Sequence, residues 1–210
     1  MPDPYLDRRL ARQDRNAHIR ATAERLFCSR GFGATGVDRI ADESGITKVT
    51  LYRHFPAKGE IVLAVLEDLH QRRLRDLTET AAASAGAPRA RLKAVFDSLR
   101  TWLEETGYAG CTFVRATVET ARDMPAVPEL AARHKRSQAE VFTQLARDSG
   151  VADPDLLGRQ LAVLIEGATT LAMIDGDITH VDDAESAANV LFGHRTVKRP
   201  GGRSAKVTRD

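Results

Sequence analysis

The spacing of the apolar residues constrains the fold of this chain more than any other feature of its sequence. From Ile19 to Phe192, apolar side chains recur every three or four positions, and no useful stretch alternates between apolar and polar residues. This period places apolar side chains on one face of an α-helix, whereas alternation would indicate strands. Aromatic residues, which favour strands, make up only 5% of the chain. The sequence therefore predicts an all-α protein.

Glycine, proline and polar runs divide the helical pattern into four segments of chain. We predict a flexible basic arm at 1–14, a three-helix domain at 15–60, a helical bundle at 61–194 and a disordered basic tail at 195–210. The polar run 80–88 is predicted as a loop. The longer helices are predicted at 89–105, 111–121, 129–148, 156–174 and 183–192. Asp153 should cap the fourth of these with Pro154 in its first turn, and Asp182 or Asp183 should cap the last.

The charge is distributed unevenly along the 210 residues. Residues 1–60 carry a net charge of +3 and residues 195–210 carry +5, whereas residues 61–194 carry −6. The two ends can therefore approach nucleic acid, and the middle should avoid it. Two cysteines, Cys28 and Cys111, exclude a disulfide framework and favour a reducing cytoplasm. No apolar run is expected to span a membrane, and none is expected to act as a secretion signal.

The segment VDRIADESGITKVTLYRHF at 37–55 has the spacing of a helix-turn-helix. Such a motif needs a small residue where two helices touch, a glycine in the turn and apolar residues between the helices. Ala41 supplies the small residue, and Gly45, four positions later, allows a positive φ. Thr47 is placed to cap the second helix. The outer face of this helix is small, cationic or able to form hydrogen bonds, which suits phosphate groups and base edges; it comprises Lys48, Val49, Thr50, Tyr52, Arg53 and His54.

Two neighbouring segments also match a known family. The chain carries AERLFCSRGFGATGVDRIADESG and then ITKVTLYRHFPAKGEIVLAVLE, and over about residues 15–70 it resembles the TetR family of repressors. GCTFVRATVE and the helix at 156–174 resemble common effector domains of that family. The resemblance implies a ligand-responsive repressor that binds a palindromic operator as a homodimer.

The resemblance also implies roles for individual residues in DNA binding. Thr47, Lys48, Tyr52 and His54 match positions that contact the DNA backbone, and Lys48, Val49 and Thr50 lie at or near base edges. Lys58 matches a lysine that meets a phosphate where the fourth helix begins. The family usually has Thr or Ser before Val37, where this chain has Gly36, so the phosphate contact can shift to Thr35 or to a bare amide. The arginines of the arm, Arg8, Arg9, Arg12 and Arg15, either enter a minor groove or belong to a solvated leader.

In the second domain we predict a dimer interface and an effector pocket. The helix at 156–174 is apolar on more than one face, which is typical of a central or interfacial helix. By resemblance it pairs with the last helix and their symmetry mates, and the interface residues predicted are Leu164, Ala168, Leu171, Ala187 and Leu191. The pocket is predicted to be lined by Trp102, Phe113, Phe142 and Ile165, with Tyr108 and Thr117 as polar groups. Its apolar walls indicate a hydrophobic or amphipathic small molecule.

An enzyme and a protein-binding helical module remain as alternative functions. The sequence lacks HExxH, Walker, GxSxG and GxGxxG motifs, so we expect no enzymatic activity. The acidic segment DGDITHVDDAES lacks the central glycine and final glutamate of a calcium loop, and turns and helix caps account better for its aspartates. We expect no metal and no cofactor. DNA affinity with a steep salt dependence would separate a DNA-binding protein from the protein-binding module.

Overall fold

The computed structural model describes residues 4–83 and 87–195. Within these residues there are nine α-helices and no β-strand, which confirms the all-α prediction. The helices are α1 (Pro4–Arg30), α2 (Val37–Glu43), α3 (Lys48–His54), α4 (Lys58–Ala83), α5 (Pro88–Glu105), α6 (Thr112–Thr120), α7 (Ala126–Asp148), α8 (Pro154–Asp175) and α9 (Thr179–Arg195).

Several helix ends follow the signals in the sequence. Helix α1 ends at Arg30 because Gly31 adopts a φ of +92°, a left-handed conformation that favours glycine. At the start of α8, the Asp153 carboxylate accepts a hydrogen bond of 3.0 Å from the Leu156 amide, and Pro154 occupies the first turn. These ends were predicted from the same residues, because caps and turn glycines act through local geometry.

Three boundaries differ from the prediction. Helix α1 begins at Pro4, so the backbone of residues 4–14 is helical, because no proline or glycine interrupts this segment of helix-forming residues. Helix α4 continues to Ala83, into the predicted loop, and buries Ala81 in the core. Helix α9 begins at Thr179 because the Asp177 carboxylate accepts from the Thr179 amide at 2.9 Å, so neither Asp182 nor Asp183 caps it. The predicted tail after Arg195, and the side chains of Arg8, Arg9 and Arg12, lie outside the described residues.

The buried side chains form two cores that share helix α4. The first core joins α1, α2, α3 and the N-terminal part of α4 with Phe113 and Ala116 of α6 and with the start of α7. The second core joins the end of α4 with α5, α7, α8 and α9. The first core extends along α4 to Leu69, beyond the predicted boundary at residue 60. Helix α4 therefore contributes to both cores, and α6 and the start of α7 add further contacts between the two halves of the chain.

Helix α8 is the most apolar helix of the second half. It packs closely against α7, because a Cβ on buried Gly158 would lie 2.7 Å from the Thr143 backbone nitrogen. By length and composition alone, α8 meets the criteria for crossing a membrane. A core helix of a soluble protein meets the same criteria. Leu161, Ile165, Ala168 and Ala172 of α8 are buried within this chain.

Two buried histidines, His70 on α4 and His134 on α7, connect these helices. The Nδ1 atoms of His70 and His134 are 3.1 Å apart, so one ring donates a hydrogen bond to the other. The His134 ring stacks on Phe113, with 3.8 Å between the ring centroids. Burial, followed by the nearby charge of Lys135, lowers the pKa of His134 to about 3. The ring is therefore neutral at neutral pH.

Acidification is expected to destabilise the protein through His134. Below its ordinary pKa of 6.5 the unfolded chain binds a proton, and the folded chain does not until the pH nears 3. Stability is thus lost as the pH falls, by about 2 kcal/mol between pH 7 and pH 5 for this group. Urea unfolding gives the free energy of unfolding at pH 7 and at pH 5. Between these two pH values, His134→Gln should lose about 2 kcal/mol less stability than the wild type.

The matched control for this prediction is His180→Gln. Asp175 raises the pKa of the half-buried His180, so removing this ring cannot reduce the loss of stability in acid. If the free energy of unfolding falls equally in the wild type and in His134→Gln, the acid destabilisation does not come from His134.

Candidate nucleic-acid interface

Helices α2 and α3 and the turn between them form the predicted helix-turn-helix. Ala41 is buried at the contact between the helices, and its carbonyl accepts a 3.1 Å hydrogen bond from the Ile46 amide. Gly45 has a φ of +66°, as the turn requires. Leu51 is fully buried and holds α3 against the first core. One face of α3 is therefore fixed to the protein, and the other is directed to solvent.

The outer face of α3 is exposed and chemically mixed. The side chain of Val49 is 68% exposed and that of Tyr52 is 41% exposed, and Lys48 and Arg53 are also exposed. The Thr47 hydroxyl caps the helix by accepting a hydrogen bond of 3.2 Å from the Thr50 amide. This face thus presents two cations, a phenol and a small apolar side chain from a capped helix.

Lys48 is paired within the protein. Its Nζ lies 2.6 Å from a carboxylate oxygen of Asp38 on α2, and this contact raises the pKa of the lysine. Both side chains are largely exposed, and an exposed ion pair contributes little to stability. Lys48 can therefore exchange Asp38 for another anion at low cost.

The other predicted residues near the helix-turn-helix fall in three different environments. Thr35 is fully buried, and its hydroxyl donates a 2.7 Å hydrogen bond to the Gly31 carbonyl, so it cannot reach a phosphate; this corrects the prediction for Thr35. Gly36 is exposed at the start of α2, where no side chain caps the helix. His54 is half-buried, and its ring contacts the Asn16 side chain of α1.

Lys58 stands where α4 begins, close to the connection between α1 and α2. Its Nζ donates a 3.2 Å hydrogen bond to the Gly33 carbonyl, and burial lowers its pKa although Glu119 acts in the opposite direction. Glu119 of α6 accepts a hydrogen bond from the Gly33 amide at 2.9 Å. Arg115, also on α6, donates to the Cys28 carbonyl at 3.2 Å.

These α6 contacts were not predicted. Glu119 and Gly33 are 86 positions apart, and neither residue carries a local signal for the other. Together with Lys58 of α4, they attach α6 to the loop that precedes the helix-turn-helix.

Two adjoining cavities lie between α4, α5, α6, α7 and α8. The inner cavity has a volume of about 100 Å³ and is lined by Trp102, Phe113 and Ile165 of the predicted pocket; the outer one, of about 430 Å³, is lined by Trp102, Phe142 and Ile165. Tyr108 and Thr117 line neither cavity. The Thr117 hydroxyl donates to the Phe113 carbonyl at 2.9 Å, and Tyr108 packs at the edge of the second core. Arg73, His134 and Gln138 line the inner cavity and were not predicted.

The residues predicted for the dimer interface fall in different environments. Ala168 is buried in the core of its own chain, and Leu164, Ala187 and Leu191 are partly buried, whereas Leu171 is exposed. The exposed apolar side chains of α8 recur at helical spacing: Val163 is 70% exposed and Ile174 is 71% exposed, with Gly167 between them. On α9, Val190 is exposed. An uncovered apolar face therefore lies on α8 and α9, and only Leu171 of the predicted residues is fully part of it.

Comparisons with known proteins agree with the helical architecture. Residues 19–65 match the model for bacterial regulatory proteins of the tetR family. The HTH-type transcriptional activator FasR of Mycolicibacterium smegmatis is 33% identical over 149 residues, which cover 68% of this chain and 64% of FasR. The HTH-type transcriptional regulator TtgR of Pseudomonas putida is 41% identical over 59 residues, which cover 28% of each chain. The matched regions thus span less than two thirds of the length of these curated relatives.

A solved structure extends the similarity over most of the chain. SCO4454, a TetR-family transcriptional regulator from Streptomyces coelicolor, has a TM-score of 0.77 and is 27% identical, and the match covers 88% of this chain and 97% of that one. Both the helix-turn-helix and the helical second half are therefore similar to a protein of that family.

Proposed function

Because this chain belongs to the TetR family of bacterial regulatory proteins, we propose that it is a cytoplasmic transcriptional regulator that binds a palindromic operator as a homodimer. In this proposal a small hydrophobic or amphipathic molecule enters the cavities of the helical domain and releases the protein from DNA. The bound dimer acts as a repressor.

The observation that carries the proposal is the outer face of α3. An α-helix fits the major groove of B-form DNA, provided that the exposed side chains are small or able to form hydrogen bonds. Lys48, Tyr52 and Arg53 can meet phosphates, and Val49 is small enough to contact a thymine methyl group. Buried Leu51 keeps this face directed outward, and Thr47 leaves the start of the helix capped.

A second copy of the chain is needed to read a palindrome. Two recognition helices must enter the major groove about 34–36 Å apart, one helical turn of DNA. The exposed apolar side chains of α8 and α9 favour a dimer, because an isologous interface places the same face of both copies together. Exposed Gly167 leaves space for close approach, since an added Cβ would contact nothing within 4 Å.

Two elements can transmit ligand binding to the DNA-binding domain. Helix α4 passes from the cavities to Lys58, and α6 passes from Thr112 and Phe113 at the inner cavity to Glu119 at the α1–α2 connection. Movement of either element would change the separation of the two recognition helices. The ligand shifts the equilibrium only by its difference in affinity for the two states, typically about 1–3 kcal/mol.

The test is selection of bound sequences from random DNA duplexes, followed by a reporter assay on the selected operator. We expect an inverted repeat whose half-sites are one helical turn apart. Loss of reporter expression supports repression. FasR is named as an activator, so the reporter assay must be able to detect an increase in expression as well as a decrease. Sequences without twofold symmetry, or no enrichment, would contradict the proposal.

Lys58 and Tyr52 are proposed to contact the DNA backbone. Lys58→Ala should weaken binding to all sequences and reduce the slope of log affinity against log salt by roughly one unit, because one phosphate contact is lost. Tyr52→Phe should weaken binding about equally across sequences without this change in slope. Lys93→Ala is the matched control, since Lys93 pairs with Asp97 on α5. An unchanged slope for Lys58→Ala would remove Lys58 from the phosphate contacts.

A further inference from the structure

The two cavities are joined by shared residues. Five side chains line both of them: Arg73, Leu99, Trp102, Gln138 and Ile165. The outer cavity adds apolar surface from Leu77, Val95 and Phe142. An organic molecule that occupies both cavities would therefore have one end in the small inner cavity and an apolar part against the outer one.

The indole of Trp102 has a polar atom without a partner. Its Nε1 is buried, and no acceptor within the described part of the chain forms a hydrogen bond with it. A buried donor without an acceptor is costly, so native structures rarely contain one unless a water, ion or ligand completes the site. Trp102 lines both cavities, so a ligand that brings an acceptor against the edge of its ring would complete the hydrogen bonding of Nε1.

Arg73 is a second donor beside Trp102. Its guanidinium carbon lies 4.7 Å from the centroid of the Trp102 ring, which is the distance of a cation–π contact. Among the described side chains, no carboxylate forms an ion pair with Arg73; Asp76 acts on it only from farther away, and burial lowers its pKa. An arginine nevertheless stays protonated in proteins, so this site contains a cation without a paired anion.

The other charged groups at the cavities fix where an anion can lie. Lys135 and Glu166 line the inner cavity and form an ion pair with each other, so Arg73 is the cation left over. His134 also lines this cavity and is neutral because its pKa is about 3. Asp76 and Glu105 line the outer cavity and would repel a second anionic group there. A ligand with one negative charge at its inner end satisfies all of these groups.

We propose that the effector is an amphipathic organic anion, with a carboxylate or a similar oxyanion beside Arg73 and Trp102 and an apolar body in the outer cavity. This inference rests on the proposed function, in which the helical domain binds the effector. A carboxylate has two acceptor oxygens, so one group can accept from both the guanidinium and the indole.

The experiment compares three probes of equal chain length on the full-length protein: octanoate, octan-1-ol and octylamine. Trp102 is the only tryptophan in the sequence, so its fluorescence reports binding directly, and calorimetry gives the affinities. We expect the affinity for octanoate to be higher than that for octan-1-ol by about 10-fold or more, because a hydrogen bond to a charged group is gained. Octylamine should bind no more tightly than the alcohol.

Variants then identify the residues responsible. Arg73→Gln should abolish the preference for octanoate over octan-1-ol, Arg73→Lys should retain part of it, and Trp102→Phe should weaken octanoate several-fold in calorimetry. Arg75→Gln, an exposed arginine on the same helix, is the matched control and should change nothing. Circular dichroism checks that each variant is folded. If an Arg73 variant does not fold, the three probes on the wild-type protein still decide the question.

Several results would overturn the proposal. They are equal or tighter binding of the alcohol or the amine, a preference for octanoate that survives Arg73→Gln, and no saturable binding of octanoate at all. Operator binding is measured separately on the same samples without any probe. A protein that binds its operator but shows no preference for the anion contradicts this inference alone, whereas failure to bind any operator contradicts the proposed function.

Discussion

Replacing Val163 and Ile174 together by glutamate is expected to produce a monomer that binds its operator about 1,000-fold more weakly than the wild type. Both side chains are about 70% exposed on the apolar face of α8, so the substitutions should not disturb the core of the chain. In a dimer, however, four carboxylates would be buried without partners, and burying unpaired charges is very costly. The second recognition helix would then lose the high effective concentration that the dimer provides.

Analytical ultracentrifugation and operator titration measure the two parts of this prediction. Val118→Glu is the matched control, because Val118 on α6 is 79% exposed and lies outside the α8–α9 face. It should remain dimeric and bind normally. A double variant that is monomeric but binds tightly would contradict the need for a dimer, and one that stays dimeric would exclude this face as the interface.

Val49→Glu is expected to weaken operator binding by about 100-fold or more while leaving the dimer intact. Val49 is the most exposed large apolar residue of α3, and the substitution would place a carboxylate among the phosphates and base edges of the groove. Like charges brought together across an interface cost several kcal/mol, and each 1.4 kcal/mol is a factor of ten. Thermal stability should change little, because the side chain makes few contacts within the protein.

Two measurements separate this effect from the previous one. Sedimentation should show a dimer for Val49→Glu. Val118→Glu is again the control, because it replaces an exposed valine by glutamate outside α3. Normal operator affinity in Val49→Glu would show that the outer face of α3 does not enter the groove.

The helix-turn-helix was predictable because its determinants are local. The turn depends on the conformation of Gly45 and the cap on the Thr47 hydroxyl, and each acts within about four residues. Likewise, Asp153 and Pro154 specify the start of α8 through their own geometry. Errors arose where several local signals compete. Asp177, Asp182 and Asp183 are all plausible caps, and only the folded chain shows that Asp177 bonds to the Thr179 amide.

The lining of the cavities could be predicted only in part. Apolar residues at helical spacing indicated Trp102, Phe113, Phe142 and Ile165, and these do line a cavity. Arg73 lies in a polar run of α4 that is typical of a solvated face, so its place beside Trp102 depends on how α5 packs against α4. The prediction that Thr35 could contact a phosphate was wrong because this polar residue is buried. A polar residue before a helix resembles a cap, but its hydroxyl is used by the Gly31 carbonyl.

The continuity of α4 has a consequence for how this chain can vary in length. The helix joins the two cores without a break, and Leu69 belongs to one core while Ala81 belongs to the other. Each residue of an α-helix turns the chain by about 100° and advances it by about 1.5 Å. Inserting a single residue between these two positions would thus turn one end of α4 relative to the other, so the α4 contacts and the contacts of α6 and α7 with the first core could not all be kept. The number of residues between Leu69 and Ala81 is therefore constrained by packing at both ends of the helix, even where its side chains are exposed.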